Sequence, residues 1–337
     1  MKLDFKPNLP PTGVSKGDWC NWQWQVRKAL TSEQDFSEYF DLTPEEIRAF
    51  RESKGLFQIR VTPYYAKLAQ NEPADGPLRR ILMPHSRELE MGAQFMLDPL
   101  GEKKHSPVDR VIHRYPDRAL FLVTDFCSVY CRYCTRKHFT GKDQVFVRSE
   151  SYRRALEYFR SCKGLREVIL SGGDPLTLSD SKLLQVLSDL REIEHLEIIR
   201  IGTRMPVVNP FRITEGLVQQ MKQFHPIYIM NHFNHPKEVT QESAQSLKFL
   251  ADNGFPLLNQ MVLLNGVNNH PAIVQALARR LLYLRVKPYY MFQCDPSEGT
   301  DHLRTSIEQS EWIQKELWGR LSGLAMSNLS LDIPDGG

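Results

Sequence analysis

From residue 119 onward the chain repeats one pattern six times: a short run of β-branched and apolar residues, then a longer amphipathic stretch. The short runs fall at 119–124, 167–170, 197–202, 227–232, 256–264 and 286–292. Helical spacing follows near 151–161, 181–192, 214–224, 238–253, 271–284 and 306–321. Strands that alternate with helices in this way bury both faces by running parallel, joined by right-handed crossovers. The pattern predicts an α/β fold with a parallel sheet. Six units alone do not separate an open barrel from a doubly wound sheet. In both, the functional groups belong where the strands end and their connecting loops gather.

The first 110 residues read differently. Residues 31–54 carry acidic and apolar residues at helical spacing, and Thr43-Pro44-Glu45-Glu46 supplies a cap and a first turn. Trp19, Trp22 and Trp24 lie within seven residues of one another and are three of the five tryptophans. Core packing of a helical domain accounts for them. A stretch marked by Pro and Gly, 98–107, reads as a linker. The expected division is a helical domain and linker over 1–110, then the α/β domain over 111–337.

Composition narrows the function classes. A formal net charge of +3 is too small to point to nucleic acid or an anionic membrane surface. No apolar run approaches the roughly 20 residues that a membrane helix needs. The first residues lack the apolar stretch of a secretory signal, so a cytoplasmic protein is expected. Of six cysteines, three are crowded into eight residues. In a reducing compartment that crowding suits metal ligation better than disulfides.

Those three, Cys127, Cys131 and Cys134, stand at C-x3-C-x2-C spacing directly after the first strand run. Soft thiolates select zinc or an iron–sulfur cluster. A structural zinc site closes with a fourth ligand; there is no second CxxC, although His138 lies four residues past Cys134. A 4Fe–4S cluster on three cysteines keeps one iron open for another ligand. The cluster is the expectation, and a zinc knuckle through His138 is its alternative.

This cysteine loop resembles that of the radical S-adenosylmethionine enzymes. More narrowly, His113-Arg-Tyr-Pro-Asp-Arg118, Cys127-Ser-Val-Tyr-Cys-Arg-Tyr-Cys-Thr-Arg136, Leu170-Ser-Gly-Gly-Asp-Pro-Leu176 and His232-Phe-Asn-His-Pro236 are similar to the lysine 2,3-aminomutase family. Thr62-Pro-Tyr-Tyr65 and Cys294-Asp-Pro-Ser-Glu-Gly299 add to the set. The similarity runs from about Asp18 to the last residue, in the family's order. It implies a partial (β/α)6 barrel with an N-terminal helical domain. The implied reaction moves the α-amino group of L-lysine to the β carbon. A 4Fe–4S cluster, S-adenosyl-L-methionine and pyridoxal 5′-phosphate serve it, with a reductant such as flavodoxin or ferredoxin.

By the same resemblance, Ser171, Gly172, Gly173 and Asp174 meet the methionyl part of S-adenosylmethionine, with the glycines admitting a close backbone approach. His232 and Gln260 meet its adenosyl part. Arg136 binds the substrate carboxylate; Asp295 and Asp332 hold the distal ammonium, which an enzyme for glutamate would not want. Arg114, Tyr115 and Arg118 bind the phosphate of pyridoxal phosphate.

The family's Schiff-base lysine is expected a residue or two beyond Gly337, which would make this a truncated chain with impaired cofactor anchoring. Lys287 is the other lysine expected near the barrel mouth. The family's oligomerisation segment is expected there too, so a homo-oligomer stays open. A sister enzyme that makes β-lysine for a translation factor, an arginine-specific enzyme and an inactive zinc-binding scaffold are the remaining alternatives.

Overall fold

The computed structural model of the protein describes residues 3–52, 58–90, 96–141 and 145–333. Its strands form one sheet in the order β1 to β8, with every neighbour adjacent in sequence. They are β1 (Val111–Tyr115), β2 (Arg118–Thr124), β3 (Glu167–Gly172), β4 (Ile198–Thr203), β5 (Ile227–Asn231), β6 (Leu257–Leu263), β7 (Val286–Gln293) and β8 (Asn328–Ser330). The pair β1 and β2 is antiparallel, and each later pair is parallel. A doubly wound sheet reverses its strand order at a switch point; this one never does. Among the described residues β8 does not pair with β1, so the result is an open, partial barrel. All six expected strands form, as β2 to β7. The hairpin strand β1 and the short β8 are additions.

Six helices preceding the barrel are short: α1 (Lys16–Trp19), α2 (Trp22–Arg27), α3 (Glu33–Ser37), α4 (Pro44–Glu52), α5 (Pro63–Ala69) and α6 (Pro77–Leu82). Thr43 starts α4 as expected: its hydroxyl accepts from the Glu46 amide, and the Glu46 carboxylate accepts from the Thr43 amide. Among the barrel helices are α7 (Ser149–Ser161), α8 (Asp180–Arg191), α9 (Met205–Val208), α10 (Glu215–Met221), α11 (Gln241–Asp252), α12 (Pro271–Tyr283) and α13 (Ile307–Leu317). No described helix is long and apolar enough to cross a membrane.

Alternation along the strands shows how the barrel places its chemistry. On β6, Leu257, Asn259, Met261 and Leu263 are buried, while Leu258, Gln260 and Val262 are only half-buried. Gln260 and Val262 line an interior cavity, so the buried set faces the helices. One contiguous core runs from Leu30, Phe36 and Tyr65 through the outward faces of the strands to Leu317. Trp19 is buried, its indole N–H donating to the Asn8 carbonyl at 2.9 Å and its ring 5.9 Å from that of Tyr64. Trp19 is core, as expected of the cluster, whereas Trp22 and Trp24 are only half-buried.

Candidate active site

The loop after β2 is pinned from both sides. The Gly141 amide donates to the Asp125 carbonyl at 2.8 Å, and the Tyr130 and Arg132 amides donate to the carbonyls of Arg60 and Ile81. The Arg132 guanidinium pairs with the buried Glu88 carboxylate. These ties hold Cys127, Cys131 and Cys134 between two cavities. One, of about 50 Å³, is lined further by Gln58, Tyr130 and Lys137. The other, of about 310 Å³, opens among the C-terminal ends of β3 to β7.

Burial, then the Asp174 carboxylate and the neighbouring thiols, pushes the Cys127 thiol up; burial and Cys131 do the same to Cys134. Three acids crowded in a dry place call for a cationic centre. Among the described residues no three His, Cys, Asp or Glu side chains converge as one metal ion requires. His138 instead lies 42% exposed with its Nε2 at 3.0 Å from Glu298. The three thiols beside the cavity are the soft donors that an iron–sulfur cluster takes, and His138 faces Glu298.

Ser171, Gly172, Gly173, Asp174, His232 and Gln260 all line the larger cavity, beside the thiols. The glycines also have a reason within the fold itself. Gly172 holds φ +112°, and a Cβ there would stand 2.1 Å from the Thr124 carbonyl oxygen; one on Gly173 would stand 2.2 Å from that of Phe126. They let the end of β3 press against the start of the cysteine loop, where the Gly173 and Asp174 amides donate to Thr124 and Phe126 carbonyls at 2.7 and 2.9 Å. Asp174 is braced, its carboxylate accepting from the Thr203 hydroxyl and from the Arg204 and Leu176 amides. His232 stacks on Tyr133, with Nε2 2.8 Å from the Tyr133 hydroxyl. Burial, with Arg204 next, drives its pKa down to about 3, so the ring is neutral.

Arg136, Asp295 and Asp332 line the same cavity. Asp295 Oδ1 is buried with no hydrogen-bond partner. Burial, followed by the Asp332 carboxylate, lifts the Asp295 pKa to about 7. Burial also raises Asp332, with Arg114 acting against it. This is a pocket region with negative character and too little to satisfy it. Arg136 is not left alone: Glu102 grips it, with Nε donating to the two carboxylate oxygens at 2.9 and 3.0 Å and Nη2 to one of them. The stretch read as a linker therefore folds against the site.

Arg114, Tyr115 and Arg118 stand at the turn between β1 and β2, and Arg114 reaches to the rim of the larger cavity, donating to the carbonyls of Leu100 and of Ile333, next to Asp332. They do not line the larger cavity. The Arg114 and Arg118 guanidinium groups lie 5.5 and 3.9 Å from the Tyr115 ring centre. Two cations about one ring are a set that a phosphate could use, in competition with the Asp117 carboxylate that pairs with Arg118. Lys287 does not sit at the barrel mouth. It opens β7 at the far end, where Nζ donates to the Leu324 and Met326 carbonyls. Residues 334–337, next to the expected Schiff-base lysine, lie outside the described residues.

The residues that sequence reasoning missed are those that act through distant partners. Arg204 joins the site at 2.8 Å from the Cys131 sulfur, its other nitrogen donating to Glu238 at 2.7 Å and to the Tyr65 hydroxyl at 2.9 Å. Its position one residue past a strand end was the available signal.

The family description "Radical SAM superfamily" matches residues 121–275. The chain is 44% identical to the L-lysine 2,3-aminomutase of Acetoanaerobium sticklandii over 96% of this chain and 78% of that protein. It is 42% identical to the L-lysine 2,3-aminomutase of Clostridium subterminale, with the same coverage. The glutamate 2,3-aminomutase of Clostridioides difficile is 38% identical over 95% of this chain and 76% of its own. In fold the chain is similar to Streptococcus suis SuiB bound to precursor peptide SuiA, at a TM-score of 0.50 and 13% identity over 68% of this chain and 51% of that one.

Proposed function

Because this chain belongs to the lysine 2,3-aminomutase family of radical S-adenosylmethionine enzymes, we propose that it moves the α-amino group of L-lysine to the β carbon, giving β-lysine. Cys127, Cys131 and Cys134 would hold a 4Fe–4S cluster. Ser171, Gly172, Gly173, Asp174, His232 and Gln260 would surround S-adenosylmethionine. Arg114, Tyr115 and Arg118 would take the phosphate of pyridoxal phosphate. When bound, these groups supply the one-electron chemistry that removes an unactivated hydrogen and the electron sink that lets nitrogen migrate. A reductant of the flavodoxin or ferredoxin class would feed the cluster.

The protein's own part is positioning. Arg136 would take the α-carboxylate, since its planar fork matches one. Asp295 and Asp332 would take the side-chain ammonium. Neutral His232 would accept or donate a hydrogen bond without adding charge. The single observation that carries lysine is Asp295, whose buried, unpartnered oxygen and raised pKa mark it as waiting for a cation. A glutamate side chain would face two carboxylates there.

The test is product analysis with the holoenzyme given lysine, arginine or glutamate. Lysine is expected to give the β-amino acid. D295N is expected to lower kcat/KM for lysine about a hundredfold while S-adenosylmethionine cleavage continues. Glutamate as the preferred substrate, or equal loss of both activities in D295N, would sink the reading.

A further inference from the structure

We infer that Glu102 is a positioning residue that fixes which edge of the Arg136 guanidinium meets the substrate, and so sets selection for a free α-carboxylate. The inference rests on reading Arg136 as the carboxylate site.

A guanidinium carries five N–H donors in one plane. Glu102 engages Nε and Nη2, the side edge. The Ser171 hydroxyl, at the end of β3, accepts from Nη1 at 3.3 Å. That leaves one hydrogen each on Nη1 and Nη2, and a carboxylate can take such a pair bidentately. Arg136 lines the larger cavity with Asp295 and Asp332, whereas Glu102 is not part of that lining. Glu102 therefore holds the fork from behind. Both side chains are 19% exposed, so the pair is shielded from competing water.

Glu102 is itself held. The Asp98 carboxylate accepts from the Glu102 amide at 2.8 Å and from the Lys103 amide at 3.0 Å, closing a tight turn. The Leu100 carbonyl accepts from Arg114, and the Met96 amide donates to the Pro296 carbonyl at 2.7 Å, next to Asp295. The turn thus spans the two ends of the substrate site. An arginine left with free χ rotation would present its donors in many directions, and a carboxylate would have to order it on binding.

The test compares lysine with lysinamide, which lacks the carboxylate, by calorimetry on the cofactor-loaded protein without reductant. No turnover is needed. Wild type is expected to bind lysine at least about tenfold more tightly than lysinamide. E102A is expected to cut that preference to about twofold by weakening lysine alone. D98A, which loosens the turn but leaves Glu102 in place, is expected to reduce it by a smaller factor. R136Q should abolish the preference, and E102A should add nothing to it. Tighter lysine binding in E102A would overturn the inference, because Glu102 would then be competing with the substrate. Equal weakening of both ligands would also overturn it, because the turn would then serve only the fold. No preference in wild type, unchanged by R136Q, would instead remove the carboxylate reading of Arg136 itself.

Discussion

At Asp295, burial and the nearby Asp332 carboxylate lift the carboxyl to about 7, far above an ordinary aspartate near 4. Its folded-state pKa is raised, so between those values the native state holds more protons than the unfolded one. Stability therefore falls as pH rises through the window from about 4 to about 7. D295N, which cannot ionise, is expected to raise the melting temperature of the substrate-free protein at pH 8 and to leave it nearly unchanged at pH 4. Thermal denaturation at the two pH values checks this; no gain at pH 8 would mean that Asp295 already has a partner. Lysine affinity should move the other way, strengthening as Asp295 ionises towards pH 8. Replacing Asp332 by Asn removes the like charge and should shift that rise to lower pH. The residue that weakens the fold is the one proposed to recognise the substrate.

Elements meet here through close backbone contacts at strand ends. Gly173 has its virtual Cβ 2.2 Å from the Phe126 carbonyl oxygen and within 2.7 Å of the Phe126 nitrogen. Neither is a flexible side-chain end that could yield. G173A is therefore expected to push the start of the cysteine loop away from β3, lowering iron and sulfide content after anaerobic reconstitution to a small fraction of wild type. G216A is the control: Gly216 opens onto empty space, so its iron content should match wild type. Full cluster loading in G173A would show that the loop tolerates displacement. The same elements explain why Asp174 is saturated: its carboxylate ties the end of β3 to the start of the segment after β4. It supports the cavity wall as well as lining it.

Across the whole molecule, the N-terminal helices are bonded into the barrel. The Tyr65 hydroxyl donates to Glu238 at 2.7 Å, the Thr62 hydroxyl to the Val208 carbonyl at 2.6 Å, and the Asn8 amide to Glu242. Glu238 in turn holds Arg204, which reaches Cys131. A buried pair of this kind leaves an uncompensated charge if one partner goes, at a cost of about 3 to 5 kcal/mol. One cooperative unit is thus expected, although 1–110 and 111–337 differ in composition. In a W312F/W318F variant the remaining tryptophans, Trp19, Trp22 and Trp24, report on the N-terminal part alone. Their fluorescence should change at the same urea concentration as the far-ultraviolet dichroism of the barrel. An earlier fluorescence transition would mean that the helices detach first.

The sequence by itself determined what depends on neighbours along the chain. Strand runs, helix periods and the cysteine spacing were legible because each is a local pattern with a short-range cause. The motif residues at strand ends came to one cavity because parallel strands deliver their C-terminal ends to one side. Only the tertiary structure decided the barrel over the doubly wound sheet, since strand order is a matter of which edges meet. It also decided that Glu102 faces Arg136 across 34 residues, and that Arg204 reaches Cys131 across 73. The position of Lys287 at the far end of its strand followed from direction, because a residue that opens a strand cannot reach the loops where it ends. Burial did much of the rest: Asp295 and His232 are ordinary letters in the sequence, and the loss of water around them, helped by Asp332 beside one and Arg204 beside the other, moves one pKa to about 7 and the other to about 3.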